Sequence, residues 1–106
     1  MADCHRLSVI TYNLHGFNQG HVYLASLCME YDIIFIQEHW LASFDLNRLY
    51  CVCDNAVCFA SSAMDDVITR DCLHGRPFGG VAIFVRKSLA VNTKLVKKRH
   101  VILLYK

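Results

Sequence analysis

Residues 32–41, Asp32-Ile33-Ile34-Phe35-Ile36-Gln37-Glu38-His39-Trp40-Leu41, decide how this chain folds. The unbroken apolar run from Ile33 to Ile36 is too short for an ordinary helix. It is rich in β-branched and aromatic residues, so it reads as a strand covered on both faces, the kind found in parallel and mixed sheets. Upstream, residues 6–12 (RLSVITY) read the same way and break at Asn13. Gly16, Asn18 and Gly20 then predict a loop. Residues 21–31 (HVYLASLCMEY) place Val22, Leu24, Ala25, Leu27 and Cys28 on one broad helical face. Strand, crossover helix and strand make a βαβ unit, whose strands run parallel and whose crossover is right-handed in about 98% of cases.

Downstream of Leu41 the pattern changes. Residues 42–48 suit a helical turn, and residues 49–53 and 57–61 read as short strands around Asp54-Asn55. Asn-Ala is a poor two-residue hairpin turn, so that pairing is weakly specified. Residues 65–77 are polar and predict a long surface connection. Residues 79–85 (GGVAIFV), 90–96 and 100–105 read as three strands. Their connections are too short for crossover helices, which implies antiparallel pairing. The predicted fold class is α/β: a mixed β-sheet with a βαβ start followed by antiparallel strands. One helix cannot cover both faces of such a sheet.

Composition agrees. The 106 residues suit one domain, with 55% apolar and 19% charged residues where about 25% charged is usual. A disordered chain or a charge-rich nucleic-acid arm is excluded. The apolar surplus instead implies more surface than this length can hide, hence a missing partner surface or membership of a larger fold. No stretch suits a secretory leader or a membrane span, so an intracellular setting, nuclear or cytoplasmic, is expected. In that setting the six cysteines, Cys4, Cys28, Cys51, Cys53, Cys58 and Cys72, are expected to be reduced. Charge is uneven: residues 1–85 carry four Lys/Arg against nine Asp/Glu, whereas residues 86–106 carry seven Lys/Arg and no acid.

Chemistry follows from the βαβ reading. Ligands of such units gather beyond the carboxyl ends of the strands. Asn13 ends the first strand and Glu38 the second, so adjacent parallel strands would bring both side chains to one rim. A carboxylate with an amide oxygen suits a hard divalent cation such as Mg2+ or Mn2+, the ion a phosphodiester hydrolase uses to orient phosphate and offset charge. The alternative at the same positions is structural: Asn13 in an Asx-turn and Glu38 capping a turn.

Three blocks carry more information than this spacing. They are Thr11-Tyr12-Asn13-Leu14-His15-Gly16, the stretch from Asp32 to Leu41, and Gly75-Arg76-Pro77-Phe78-Gly79-Gly80-Val81-Ala82-Ile83-Phe84-Val85. In this order the chain resembles the endonuclease/exonuclease/phosphatase superfamily, and in particular the apurinic-endonuclease-like domain that precedes the reverse transcriptase of non-LTR retrotransposons. The resemblance implies a partial DNase I-like, four-layer α/β sandwich in which a second sheet would cover the apolar face. It implies a divalent-metal-dependent DNA endonuclease, with Asn13 at the active site, Glu38 as metal ligand, and DNA as the partner of a full-length member. His15 departs from an aspartate common in relatives. The catalytic tyrosine, the Asp-x-Asn pair and the late Asp-His pair of such domains find no counterpart here. Residues 1–106 therefore read as an N-terminal part of the domain, expected to be inactive by itself.

Two other readings are open. The basic C-terminal strands could bind nucleic acid or protein weakly and without catalysis, with steep salt dependence. Cys51, Cys53, Cys58, Cys72 and His74 could supply a zinc site, although Cys-x-Cys is not the usual knuckle spacing. For Trp40 the reading is packing beneath the sheet, and for His39 exposure. An open edge strand and an uncovered sheet face predict self-association.

Overall fold

The computed structural model describes residues 7–65, 68–69, 72–73, 75–90, 94–98 and 102–105, with side chains for residues 7–65 and 75–90. The βαβ start is present. Strand β1 (Val9–Asn13) leads through helix α1 (Phe17–Glu30) to strand β2 (Ile33–Gln37). The two strands pair in parallel, Val9 opposite Ile33 and Asn13 opposite Gln37. Helix α1 starts four residues before its apolar periodicity suggests. Gly20 does not break it, because that glycine seats the helix against β1: a Cβ there would lie 2.4 Å from the Leu14 carbonyl oxygen. No side chain caps this helix. Its opening amides, on Gly16 and Phe17, donate instead to the carbonyls of Glu38 and His39 at 2.8 and 2.9 Å.

A 3-10 turn (Ser43–Asp45) and the short helix α2 (Asn47–Tyr50) follow. The strand expected over residues 49–53 is absent. Leu49 is fully buried from a helical turn, so its apolar character serves the core rather than a ladder. The hairpin across Asp54-Asn55 is likewise absent. Strand β3 (Ala56–Ser61) pairs with β6 (Val81–Arg86) instead, antiparallel, with Ser61 opposite Val81. Strand β6 also pairs antiparallel with β2, Gln37 opposite Val81, which gives a mixed four-stranded sheet in the order β1-β2-β6-β3. The polar connection holds a small ladder of β4 (Ile68–Thr69) and β5 (Cys72–Leu73). After the turn of helix α3 (Lys87–Ala90), β7 (Lys94–Lys98) and β8 (Ile102–Tyr105) form an antiparallel hairpin beside β3 and β6.

Alternation separates the two sheet faces. Ile34, Ile36, Ala60, Ala82 and Phe84 face a core closed by Leu14, Phe17, Leu24, Leu27, Leu46 and Leu49. Burying each large member contributes roughly 1.5–3 kcal/mol. On the other face Ile83 and Val85 are buried, yet Val9 and Phe35 remain 49% and 39% exposed. Half of that face is therefore open. Among the described residues no helix is long and apolar enough to cross a membrane.

The cysteines correct the sequence reading. Cys28 of α1 is disulfide-bonded to Cys53, closing a loop with a sequence separation of 25. Periodicity shows only that both positions are buried, not that they face each other. The bond also removes Cys53 from any zinc ligand set, and no group of three or more metal-ligating side chains occurs among the described residues. The side chains of Cys72 and His74, and those of the basic β7 and β8 strands, lie outside the described residues.

Candidate functional site

The parallel register fixes the geometry of one sheet rim. Asn13 is opposite Gln37, so Glu38 emerges beside Asn13 where both strands end. Asn13 is exposed and Glu38 half-buried. The Asx-turn is present: Asn13 Oδ1 accepts the His15 main-chain N–H at 2.9 Å.

Glu38 is held more elaborately. Its backbone takes the left-handed conformation, φ 59°, which costs a non-glycine residue about 1–2 kcal/mol. The strain is fixed from three sides. Its N–H donates to the Gly80 carbonyl at 2.8 Å and its carbonyl accepts from Gly16 N–H at 2.8 Å. Carboxylate Oε1 accepts the Trp40 indole N–H at 2.9 Å and the Gly79 N–H at 3.2 Å. Oε2 takes no hydrogen bond from the described residues and stays available. His15 (φ 54°) and Trp40 (φ 61°) share the left-handed conformation. These three are the non-glycine residues with positive φ among those described, and all lie at this rim. Such clustering of strain is characteristic of functional sites.

Trp40 and His39 reverse the sequence expectation. Trp40 is half-buried over Gly16 rather than beneath the sheet; a Cβ on Gly16 would lie 2.6 Å from its ring. Its other neighbour is His15, with ring centroids 5.2 Å apart. His39 is the residue that goes inward, with no exposed surface. The Leu41 N–H donates to His39 Nδ1 at 2.9 Å, so Nε2 carries the proton and donates to the Ser61 carbonyl at 2.8 Å. Burial pushes this imidazole below its ordinary pKa, opposed by the hydrogen bond to Ser61. His39 thus pins the turn bearing Glu38 to the end of β3. Nothing in the local sequence distinguishes a buried from an exposed histidine here, because its partners are main-chain groups, one two residues on at Leu41 and one on the distant strand β3 at Ser61.

An open cleft of about 340 Å³ lies on the β3 side of Glu38, lined by Gln37, Glu38, Ser61, Ser62, Gly79 and Gly80, among others. The sequence gives no direct signal for Ser61 and Ser62. They reach the cleft because β3 pairs beyond β6, a long-range choice.

As chemistry, the rim offers hard oxygen donors on a rigid frame: one carboxylate oxygen of Glu38 and the amide of Asn13. Mg2+ accepts one or two carboxylates and keeps several waters, so this donor set suits a hydrated divalent ion. A mixed α/β sheet carries a carboxylate and an amide at the carboxyl ends of two parallel strands. Residues 10–102 match the Endonuclease/Exonuclease/phosphatase family, so the chain belongs to that family and is a phosphodiesterase or nuclease type of hydrolase domain. Comparison with curated proteins gives no match.

Proposed function

We propose that the Asn13–Glu38 rim is the metal-binding part of a divalent-metal-dependent DNA endonuclease site, of the apurinic-endonuclease-like kind associated with non-LTR retrotransposons. We propose further that these 106 residues alone do not turn over substrate. The observation that carries the reading is the fixing of Glu38. Two donors hold Oε1, while Oε2 takes no hydrogen bond from the described residues. Glu38 Oε2 would hold the ion, with the Asn13 amide oriented beside it by the Asx-turn. When bound, the ion supplies charge neutralisation and orientation of a phosphodiester. Trp40 and Gly79 keep the carboxylate from rotating, so its geometry is set before binding. The inactivity rests on content: among the described residues the rim presents one carboxylate, Glu38, and one imidazole, His15, fewer groups than holding an ion, activating water and stabilising a leaving group together require.

Trp40 is the chain's single tryptophan and touches Glu38, so its fluorescence reports on the site. Mn2+, a paramagnetic quencher, is expected to quench Trp40 saturably in the wild-type chain and not in Glu38→Gln, which keeps the Oε1 acceptor and removes the charge. Equal quenching in both proteins would overturn the metal assignment. In parallel, supercoiled and abasic DNA incubated with Mg2+ or Mn2+ should remain uncut; cleavage that disappears in Glu38→Gln would overturn the inactivity.

A further inference from the structure

Cys28, near the end of α1, and Cys53, between α2 and β3, are both buried. Their disulfide is accompanied by one hydrogen bond between the same segments, from Asn55 Nδ2 to the Cys28 carbonyl at 3.5 Å. The clamp joins two elements that position the Glu38 turn. Helix α1 donates its opening amides to the Glu38 and His39 carbonyls, and β3 ends at Ser61, whose carbonyl accepts from His39. Two residues before Cys53 stands Cys51, a free and exposed thiol at the C-cap of α2. Two peptide steps keep the Cα atoms of Cys51 and Cys53 within about 7 Å, and a disulfide spans about 4.4–6.8 Å between Cα atoms. An open cleft of about 490 Å³ lies against both bonded cysteines, with Val52 and Asn55 among its lining. It gives a departing sulfur room to move and solvent to take a proton from.

We propose that Cys51 is a built-in exchange thiol that takes Cys53 from Cys28 and so unlocks α1. The Cys51 S–H gives its proton to water, and the thiolate, the attacking form, displaces at Cys53 Sγ. The Cys51–Cys53 bond forms as the Cys28–Cys53 bond breaks. The electron pair leaves on Cys28 Sγ, which takes a proton from water. One disulfide and one thiol stand on each side of the step, so it consumes no oxidant or reductant. Attack falls on Cys53 because the chain itself holds that residue near Cys51, whatever α1 does. The released Cys28 stays in its apolar place, where a free thiol packs as a small hydrophobe. The clamp closes a loop with a sequence separation of 25, whereas a Cys51–Cys53 bond spans only Val52 and constrains the unfolded chain far less. Exchange therefore trades a long tether for a local ring and loosens α1 at constant redox state. It is independent of Glu38 chemistry, and Glu38→Gln should exchange like wild type.

The test is disulfide mapping of the oxidised full chain, wild type and Cys51→Ser, held at about pH 8 without added thiol or oxygen in urea well below the unfolding midpoint. Acid then stops exchange by protonating the thiolates, and peptic peptides are read by mass spectrometry. Within hours the wild type is expected to accumulate a Cys51–Cys53 bond with Cys28 as the new thiol, in a fraction that rises with urea. Cys51→Ser alters an exposed position. It should match the wild type by circular dichroism and free Cys28 at least about tenfold more slowly. A wild type that keeps only the Cys28–Cys53 bond, or a Cys51→Ser chain that frees Cys28 equally fast, would overturn the proposal. So would Cys51 found paired with Cys28, Cys4, Cys58 or Cys72. The two isomers, separated in acid and compared at about pH 5, where exchange is slow, give a second readout. The Cys51–Cys53 form should unfold at lower urea, and equal midpoints would show that exchange unlocks nothing.

Discussion

Replacing Gly80 by alanine should disable this fold through His39. Gly80 has φ +95°, and an added Cβ would lie 2.3–2.6 Å from three atoms of the His39 ring. The ring is fully buried and hydrogen-bonded at both nitrogens, so it has nowhere to retreat. Left-handed backbone costs an alanine about 1–2 kcal/mol. Displacing the ring leaves the Leu41 N–H or the Ser61 carbonyl without its partner, at about 1–3 kcal/mol for each buried group. The sum is about 2–5 kcal/mol, a large fraction of the roughly 5–15 kcal/mol that stabilises an ordinary domain. Gly75→Ala is the matched control: φ is +99° and no atom lies within 4 Å of the added Cβ, so the backbone cost acts alone. Urea unfolding followed by circular dichroism should show Gly80→Ala about 1–3 kcal/mol less stable than Gly75→Ala. Equal losses in the two variants would refute the reasoning, because strain rather than contact with His39 would then explain both.

Three further outcomes follow from the same structure. The His39 imidazole is held below its ordinary value of 6.5 by burial, so the unfolded chain takes up its proton first as the pH falls. Its contribution is complete above that value and is lost as the pH falls through the lower folded-state pKa, and His39→Gln should flatten this part of the urea midpoint profile. Ser8 main-chain and hydroxyl groups, followed by the Arg86 guanidinium, hold Asp32 below its usual value of 3.8, with Arg86 Nε 2.9 Å from Asp32 Oδ1. That stabilisation is present above 3.8 and is lost as the pH falls through the depressed folded-state pKa. Asp32→Asn should cost about 1 kcal/mol near neutrality, measured by the same unfolding assay. Reducing the Cys28–Cys53 bond opens a loop with a sequence separation of 25, at a cost of about 3 kcal/mol. Non-reducing peptide mapping should recover the linked pair, and dithiothreitol should lower the unfolding midpoint.

What could be read from the residues follows the range of the interactions. The parallel pairing of β1 and β2 is legible because each strand is a continuous apolar run and a single helix connects them; this alone brings Asn13 and Glu38 to one rim. The strand character of residues 81–85 is equally local. Failures occur where a distant partner decides. Leu49 looks like part of a strand but fills the core from a helical turn. Gly20 looks like a loop residue but lets α1 lie against the Leu14 carbonyl. The partners of His39, Leu41 N–H and the Ser61 carbonyl, are main-chain groups with no side-chain signature. Likewise, Cys28 and Cys53 are two of six cysteines, and sequence spacing cannot select a pair among them.

The structural and chemical readings of the rim are not rivals. The Asx-turn occupies Asn13 Oδ1, whereas Glu38 Oε1 caps no following turn: it accepts the Trp40 indole N–H and the distant Gly79 N–H. Yet a carboxylate has two oxygens, and anchoring one of them orients the other. A freely rotating exposed glutamate would lose side-chain entropy on binding a cation. Here the fold has already met that cost through the Trp40 indole, the Gly79 amide and a left-handed backbone. The contacts that anchor one oxygen of Glu38 are therefore what would make its remaining oxygen an effective ligand. The same logic explains why His39 lies inward: a ring pinned between Leu41 and Ser61 fixes the turn on which that oxygen is carried.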